Sequence, residues 1–207
     1  SEAAEAMERA EDPRRRNPAG MSGAILSTQL ADLARGDLAW LPALLSGRRT
    51  RGTLLAAPPG ARHDTEKQDT LLTWAARHGQ AEAVRLLIEG GASVGAADSG
   101  GATALLLASE GGHVDCARLL LEASAAINQA DENGVTPLYV ASQQGQVECV
   151  RLLLEAGAAT DQADAEGRTP LYVASLQGHD QCVRLLLEAG AAVAHSNAEG
   201  RTPLYVA

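Results

Sequence analysis

Thr136-Pro137-Leu138-Tyr139 is the stretch that decides the fold, because it returns as Thr169-Pro170-Leu171-Tyr172 and again as Thr202-Pro203-Leu204-Tyr205. The threonine reaches further back, to Thr103 and Thr70, and so recurs every 33 residues. A fixed period of this size marks a solenoid, in which one supersecondary unit packs only on its neighbours. Repetition this strict leaves little room for a unique catalytic pocket. The question becomes which face binds.

Outward from the threonine, each unit has a readable physics. Threonine caps a helix, and proline takes the first helical position, where its missing N–H costs nothing. Ala75, Ala108, Ala141 and Ala174 keep that helix thin enough for close stacking. Gly79, Gly112, Gly145 and Gly178 end it by letting the backbone turn. A longer helix follows, as in Val150-Arg151-Leu152-Leu153-Leu154-Glu155, with leucines inward and charges outward at helical spacing. Gly91, Gly157 and Gly190 stop it, and Ser124 stands at the equivalent place in the unit between. A short extended hairpin then leads to the next unit.

The strict units predicted are 65–97, 98–130, 131–163 and 164–196, followed by a partial unit, 197–207. Residues 1–22 mix Glu, Arg, Pro and Ala without apolar periodicity and read as a disordered tail. Residues 23–64 read as a degenerate N-terminal capping repeat that carries a basic insertion loop. Leu30, Leu33 and Ala34 make one stripe there, and Leu38, Leu41, Leu44 and Leu45 make another. The turn glycine moves from Gly36 to Gly79, 43 residues on, so about ten residues around Arg48 to Asp64 break the period. Ala207 falls inside the first helix of a unit, from which we expect the natural chain to continue.

The chain has no phenylalanine, and aromatic residues are 2% of it, so the core must be Leu, Val and Ala. The net charge of −9 is uneven: Ser1 to Arg62 holds 9 basic and 7 acidic residues, His63 to Ala207 holds 8 and 19. An acidic array repels nucleic-acid phosphates and favours a partner with a basic patch. No apolar run reaches the roughly 18 residues of a membrane span, and no secretory leader is visible. A cytoplasmic or nuclear protein with no nucleic-acid and no membrane partner is expected. Cys116, Cys149 and Cys182 are spaced by 33 and occupy one column. Adjacent helices pack about 8–10 Å apart, whereas a disulfide needs Cα atoms within about 7 Å. They are expected to be buried free thiols.

Taken together, these residues resemble the ankyrin-repeat family. Its pattern, roughly Asp-x-x-Gly-x-Thr-Pro-Leu-His-x-Ala-Ala followed by Gly-His, Val-x-x-Leu-Leu and Gly-Ala-Asp-Val-Asn, is matched from Asp131 through Gly157-Ala158 and again from Asp164 through Gly190-Ala191. The resemblance implies an all-α solenoid of stacked helix-turn-helix units with hairpin loops. Tyr139, Tyr172 and Tyr205 depart from the family histidine, whose backbone hydrogen bond must then be made differently, and are expected to pack between units. The first strict unit departs too, with Leu71 in place of proline and Gln68 in place of glycine.

Catalytic chemistry finds no foothold. His113 and His179 repeat with the framework, and His63, His78 and His195 lie in or beside connections. No pair has metal-ligand spacing, and there is no Gly-rich phosphate loop or Gly-x-Ser-x-Gly elbow. Acidic pairs such as Asp131-Glu132 sit in hairpins, where Asp bonds its own backbone. We expect no catalytic, cofactor-binding or metal site.

The resemblance implies a monomeric, non-enzymatic scaffold or adaptor that grips a protein or peptide on a concave face. Its contacts would come from hairpin tips and from the exposed ends of the short helices. Those positions are Glu66, Lys67, Asp69, Arg77 and His78; Ser99, Ala102 and Glu110; Glu132, Asn133, Val135, Gln143 and Gln144; Glu166, Arg168, Leu176 and Gln177; and Glu199 and Arg201. An alternative implied by the same resemblance is the substrate-recruiting arm of a larger protein, such as a ubiquitin-ligase receptor of the SOCS-box type. Asn128, at the family's hairpin asparagine, would be a candidate for asparaginyl hydroxylation.

Overall fold

The computed structural model describes residues 70–207. The expected tail, the capping repeat, its insertion and the candidate contacts Glu66, Lys67 and Asp69 lie outside the described residues. Within them the chain forms alternating short and long helices: α1 (Leu71–Arg77), α2 (Ala81–Glu89), α3 (Ala104–Glu110), α4 (Val114–Glu122), α5 (Pro137–Gln143), α6 (Val147–Glu155), α7 (Pro170–Leu176), α8 (Asp180–Glu188) and α9 (Pro203–Val206). No strand is present among the described residues; the one β-bridge joins Ala97 and Thr103.

The threonines start the short helices as their chemistry demands. Thr70, Thr103, Thr136 and Thr169 each accept the backbone N–H three residues on, which satisfies one of the orphan donors of the first turn. Leu71 replaces proline in α1 without shifting that start. The glycines after the short helices sit at left-handed φ, as at Gly145 (φ 69°). Ser124 adopts the same region at φ 63°, although its counterparts Gly91 and Gly157 do so without a side chain. This departure is a stored strain, because Cβ crowds the following carbonyl there.

Stacking produces two layers. The short helices pack in the order α1, α3, α5, α7, α9, the long helices in the order α2, α4, α6, α8, and each of α1, α3, α5 and α7 packs on the long helix that follows it. Between the layers lies one continuous core of small and aliphatic side chains, including Ala75, Leu105, Leu138 and Leu171 from the short helices and Val84, Leu120, Leu153 and Leu186 from the long ones. Cys116, Cys149 and Cys182 are buried in it as free thiols. Burial and neighbouring carboxylates push Cys116 and Cys149 up to about 11. A second, smaller apolar spine runs along the other side of the short helices, through Leu106, Leu107 and Val140, then Tyr139, Tyr172 and Val173.

Candidate functional site

The side of the stack formed by hairpins and short-helix ends is built on a repeated aspartate. Asp98 Oδ1 accepts the N–H groups of Gly100 and Ala102 at 2.9 and 3.0 Å. Asp131 holds Asn133 and Val135 in the same way, Asp164 holds Glu166 and Arg168, and Asn197 holds Glu199 and Arg201. The hairpin carboxylates therefore serve their own turns, as expected of Asp in such a place.

Successive hairpins are joined to each other. Glu132 N donates to Gly100 O at 3.2 Å, Ala165 N to Asn133 O at 2.9 Å, and Ala198 N to Glu166 O at 2.9 Å. The approach is close enough that a Cβ on Gly134 would stand 3.1 Å from Ala165 N and Asp164 Cα. Only glycine fits there, at φ 79°. The hairpin tips thus form a ladder of fixed spacing, with the side chains of Glu132, Asn133 and Glu166 projecting to solvent.

At the opposite ends of the short helices a second ladder operates. His113 Nε2 donates to Arg77 O at 3.1 Å, Gln146 Nε2 to Glu110 O at 3.2 Å, and His179 Nε2 to Gln143 O at 3.1 Å. Each bond spans 36 residues and pins the last residue of one short helix to the next unit. The histidines that repeat with the framework are inter-unit buckles, and glutamine fills the same role at 146. Sequence reasoning placed His113 and His179 correctly in the framework but missed this bond, since Gln146 masks the column.

The tyrosines replace the missing histidine bond with a reach to the next hairpin. Tyr139 Oη donates to Asp164 Oδ2 at 2.8 Å, and Asn197 Nδ2 donates to Tyr172 Oη at 3.3 Å. Tyr139 and Tyr172 are buried, as expected. Tyr205 departs from that expectation and is 71% exposed, with the Arg201 guanidinium carbon 5.8 Å from its ring centroid. Asp164 also receives Arg168 Nε at 2.8 Å and Nη2 at 2.6 Å. Burial alone would raise the Asp164 pKa, but the bonds from Arg168 and Tyr139 outweigh it and hold the carboxyl below its ordinary value.

Of the candidate contacts within 70–207, His78, Ser99, Glu110, Glu132, Asn133, Gln144, Glu166, Leu176, Gln177, Glu199 and Arg201 are exposed, while Arg77, Val135, Gln143 and Arg168 are half-buried. Ala102 is a correction. It is 4% exposed, packed with Leu106, Leu107 and Val140, so it is part of the spine and has no surface to offer. Several charges are already engaged: Arg77 with Asp98 at 3.3 Å, Glu166 with Arg168 at 2.9 Å, and Glu199 with Arg201 at 3.1 Å. His78 stacks on Trp74 with ring centroids 4.1 Å apart. Asn128 is tied into the stack, its Oδ1 accepting Ala159 N at 2.9 Å.

The described residues hold no group of three or more His, Cys, Asp or Glu arranged for a metal ion. A cavity of about 320 Å³ at the turns is lined by Gly79, Gly112, His113, Val114, Asp115 and Cys116, and its histidine is already used as a buckle. No helix among the described residues is long and apolar enough to cross a membrane.

Paired helices stacked in two layers and joined by hairpin ladders define a helical repeat solenoid. The ankyrin-repeats family model matches this chain three times, over residues 43–131, 72–164 and 156–207, and these overlapping matches cover well over half of it. The chain belongs to the ankyrin-repeat family. Ankyrin repeats generally mediate protein–protein interaction and are typically non-enzymatic modules. Comparison with curated proteins found no match.

Proposed function

We propose that this chain is a non-enzymatic scaffold or adaptor that binds a protein or peptide across the concave side formed by hairpin tips and short-helix ends. One observation carries the reading: the last residue of the short helix differs from unit to unit, while the buried positions beneath it repeat. Glu110, Gln143 and Leu176 occupy one register position with three different chemistries, over the repeating alanines Ala108, Ala141 and Ala174. A surface free of framework duties is where specificity can reside. The units 65–97, 98–130, 131–163 and 164–196, the partial unit 197–207 and a monomeric array in the cytosol or nucleus belong to the same reading. The acidic balance after His63 favours a partner with a basic patch.

The test is to recover a partner with the full chain, purify it, and measure its affinity for Glu132→Lys and Glu122→Lys variants. Glu132 lies on the hairpin ladder and Glu122 at the end of α4 in the long-helix layer; both are exposed. The face assignment expects Glu132→Lys to weaken binding about tenfold or more, with Tm unchanged and Glu122→Lys neutral. Equal binding by both variants removes the assignment.

A further inference from the structure

The last residues of the short helices form a strip, Arg77, Glu110, Gln143 and Leu176, one from each unit. The backbone carbonyls of the first three are occupied by the His113, Gln146 and His179 buckles, so this strip is rigid and is read through side chains alone. Arg77 is engaged by Asp98, and Gln143 is neutral. Glu110 is exposed and has no ion pair among the described residues, and Leu176 is 49% exposed. The same register position is exposed at Glu110 and half-buried at Arg77 and Gln143. The strip therefore presents one uncompensated charge and one bare apolar side chain, two units apart on a fixed frame.

We infer that this strip selects an extended partner segment with a basic residue facing Glu110 and an apolar residue facing Leu176; the inference rests on the binding face proposed above. Charge complementarity names the first residue, because a guanidinium or ammonium is the group an isolated exposed carboxylate attracts. Desolvation of Leu176 names the second. The spacing follows from the stack. Neighbouring helices lie about 8–10 Å apart, so two units separate the side chains by roughly 16–20 Å, which an extended chain at about 3.3 Å per residue spans in about five or six residues. Because the frame is held by buckles, little ordering is required of the array when such a segment docks.

A peptide array displaying twelve-residue segments with one Arg and one Leu, three to nine positions apart, tests this with the full 207-residue chain as probe. The expected result is a binding maximum at a separation of about five or six. In Glu110→Lys the preference at the basic position should invert from Arg to Glu, and in Leu176→Ser the advantage of Leu over Ser should vanish. Both positions are exposed, so Tm should stay unchanged. Binding without a spacing maximum, or without inversion, overturns this strip while leaving the binding face intact, provided Glu132→Lys still weakens it. Failure of every peptide to bind overturns the extended-segment inference and leaves a folded partner for the same face. Binding lost only in Glu122→Lys overturns the strip and the face together.

Discussion

The Tyr139 hydroxyl donates a 2.8 Å hydrogen bond to Asp164 Oδ2, across the boundary between one unit and the hairpin of the next. Both side chains are buried, and Arg168 closes the group from the same hairpin. Burial, together with the bond to the Asp164 carboxylate, pushes the Tyr139 phenol well above its ordinary value, so it remains a donor. Tyr172 reaches the next hairpin at the neutral Asn197 instead, at 3.3 Å.

Removing these two hydroxyls should have unequal consequences. Tyr139→Phe leaves a buried carboxylate short of a donor and should cost about 1.5–3 kcal/mol, whereas Tyr172→Phe should cost about 0.5–1.5 kcal/mol. Urea unfolding of both variants, followed by circular dichroism, checks the order. Equal losses would mean that the charge on Asp164 contributes nothing to the bond.

Two hairpin aspartates separate turn geometry from charge. Asn197 already holds its turn with an amide oxygen, so Asp131→Asn should stay within about 0.5 kcal/mol of the parent. Asp164→Asn also removes the pair with Arg168 and should cost about 1.5–3 kcal/mol at neutral pH. The pH dependence has a definite sign. The folded carboxyl is held below its ordinary value, so its contribution is complete above the unfolded pKa of about 3.9 and is lost as the pH falls through the lower folded value. The stability gap between the parent and Asp164→Asn should therefore narrow below about pH 4. A gap that widens with acid would contradict the assignment.

Backbone strain at Ser124 invites relief. Glycine at that position should stabilise the chain by about 1 kcal/mol, since it removes the left-handed penalty of a side chain at φ 63°. The converse pair calibrates it. A Cβ on Gly157 meets nothing within 4 Å, so Gly157→Ala carries backbone strain only, about 1–2 kcal/mol. Gly134→Ala adds the collision with Ala165 N and Asp164 Cα and should cost clearly more. Thermal unfolding of the three variants decides.

The cysteines should be silent in the native state. Cys116 and Cys149 are pushed up to about 11, and burial raises Cys182 as well, so thiolate is scarce near pH 8. Titration with Ellman's reagent should detect no rapid thiol in the folded chain and three in denaturant. A fast native thiol would show that the core opens locally.

Much of the fold is legible in the chain because its signals are local. Thr136 and Thr169 cap their helices and Pro137 and Pro170 follow them, at the positions their backbone chemistry prefers. Gly145 and Gly178 turn where the period places them. The candidate site was only partly legible. The variable positions could be read by subtracting the repeat, yet nothing local distinguishes Ala102, which packs inward, from Val135, Arg168 and Arg201 in the same column. Nor could spacing reveal that Glu166 and Glu199 are neutralised by their own hairpin arginines while Glu110 has no ion pair among the described residues.

By itself the sequence determined the unit, its helix starts and stops and the column of thiols, since each of these depends on a residue's own backbone preference and a 33-residue period. Tertiary structure alone decided what bridges the units: His113 on Arg77, Gln146 on Glu110, Tyr139 on Asp164, and hairpin on hairpin. Those bonds join residues 25 to 36 positions apart, and they form only when two units stack and bring the groups within hydrogen-bonding distance.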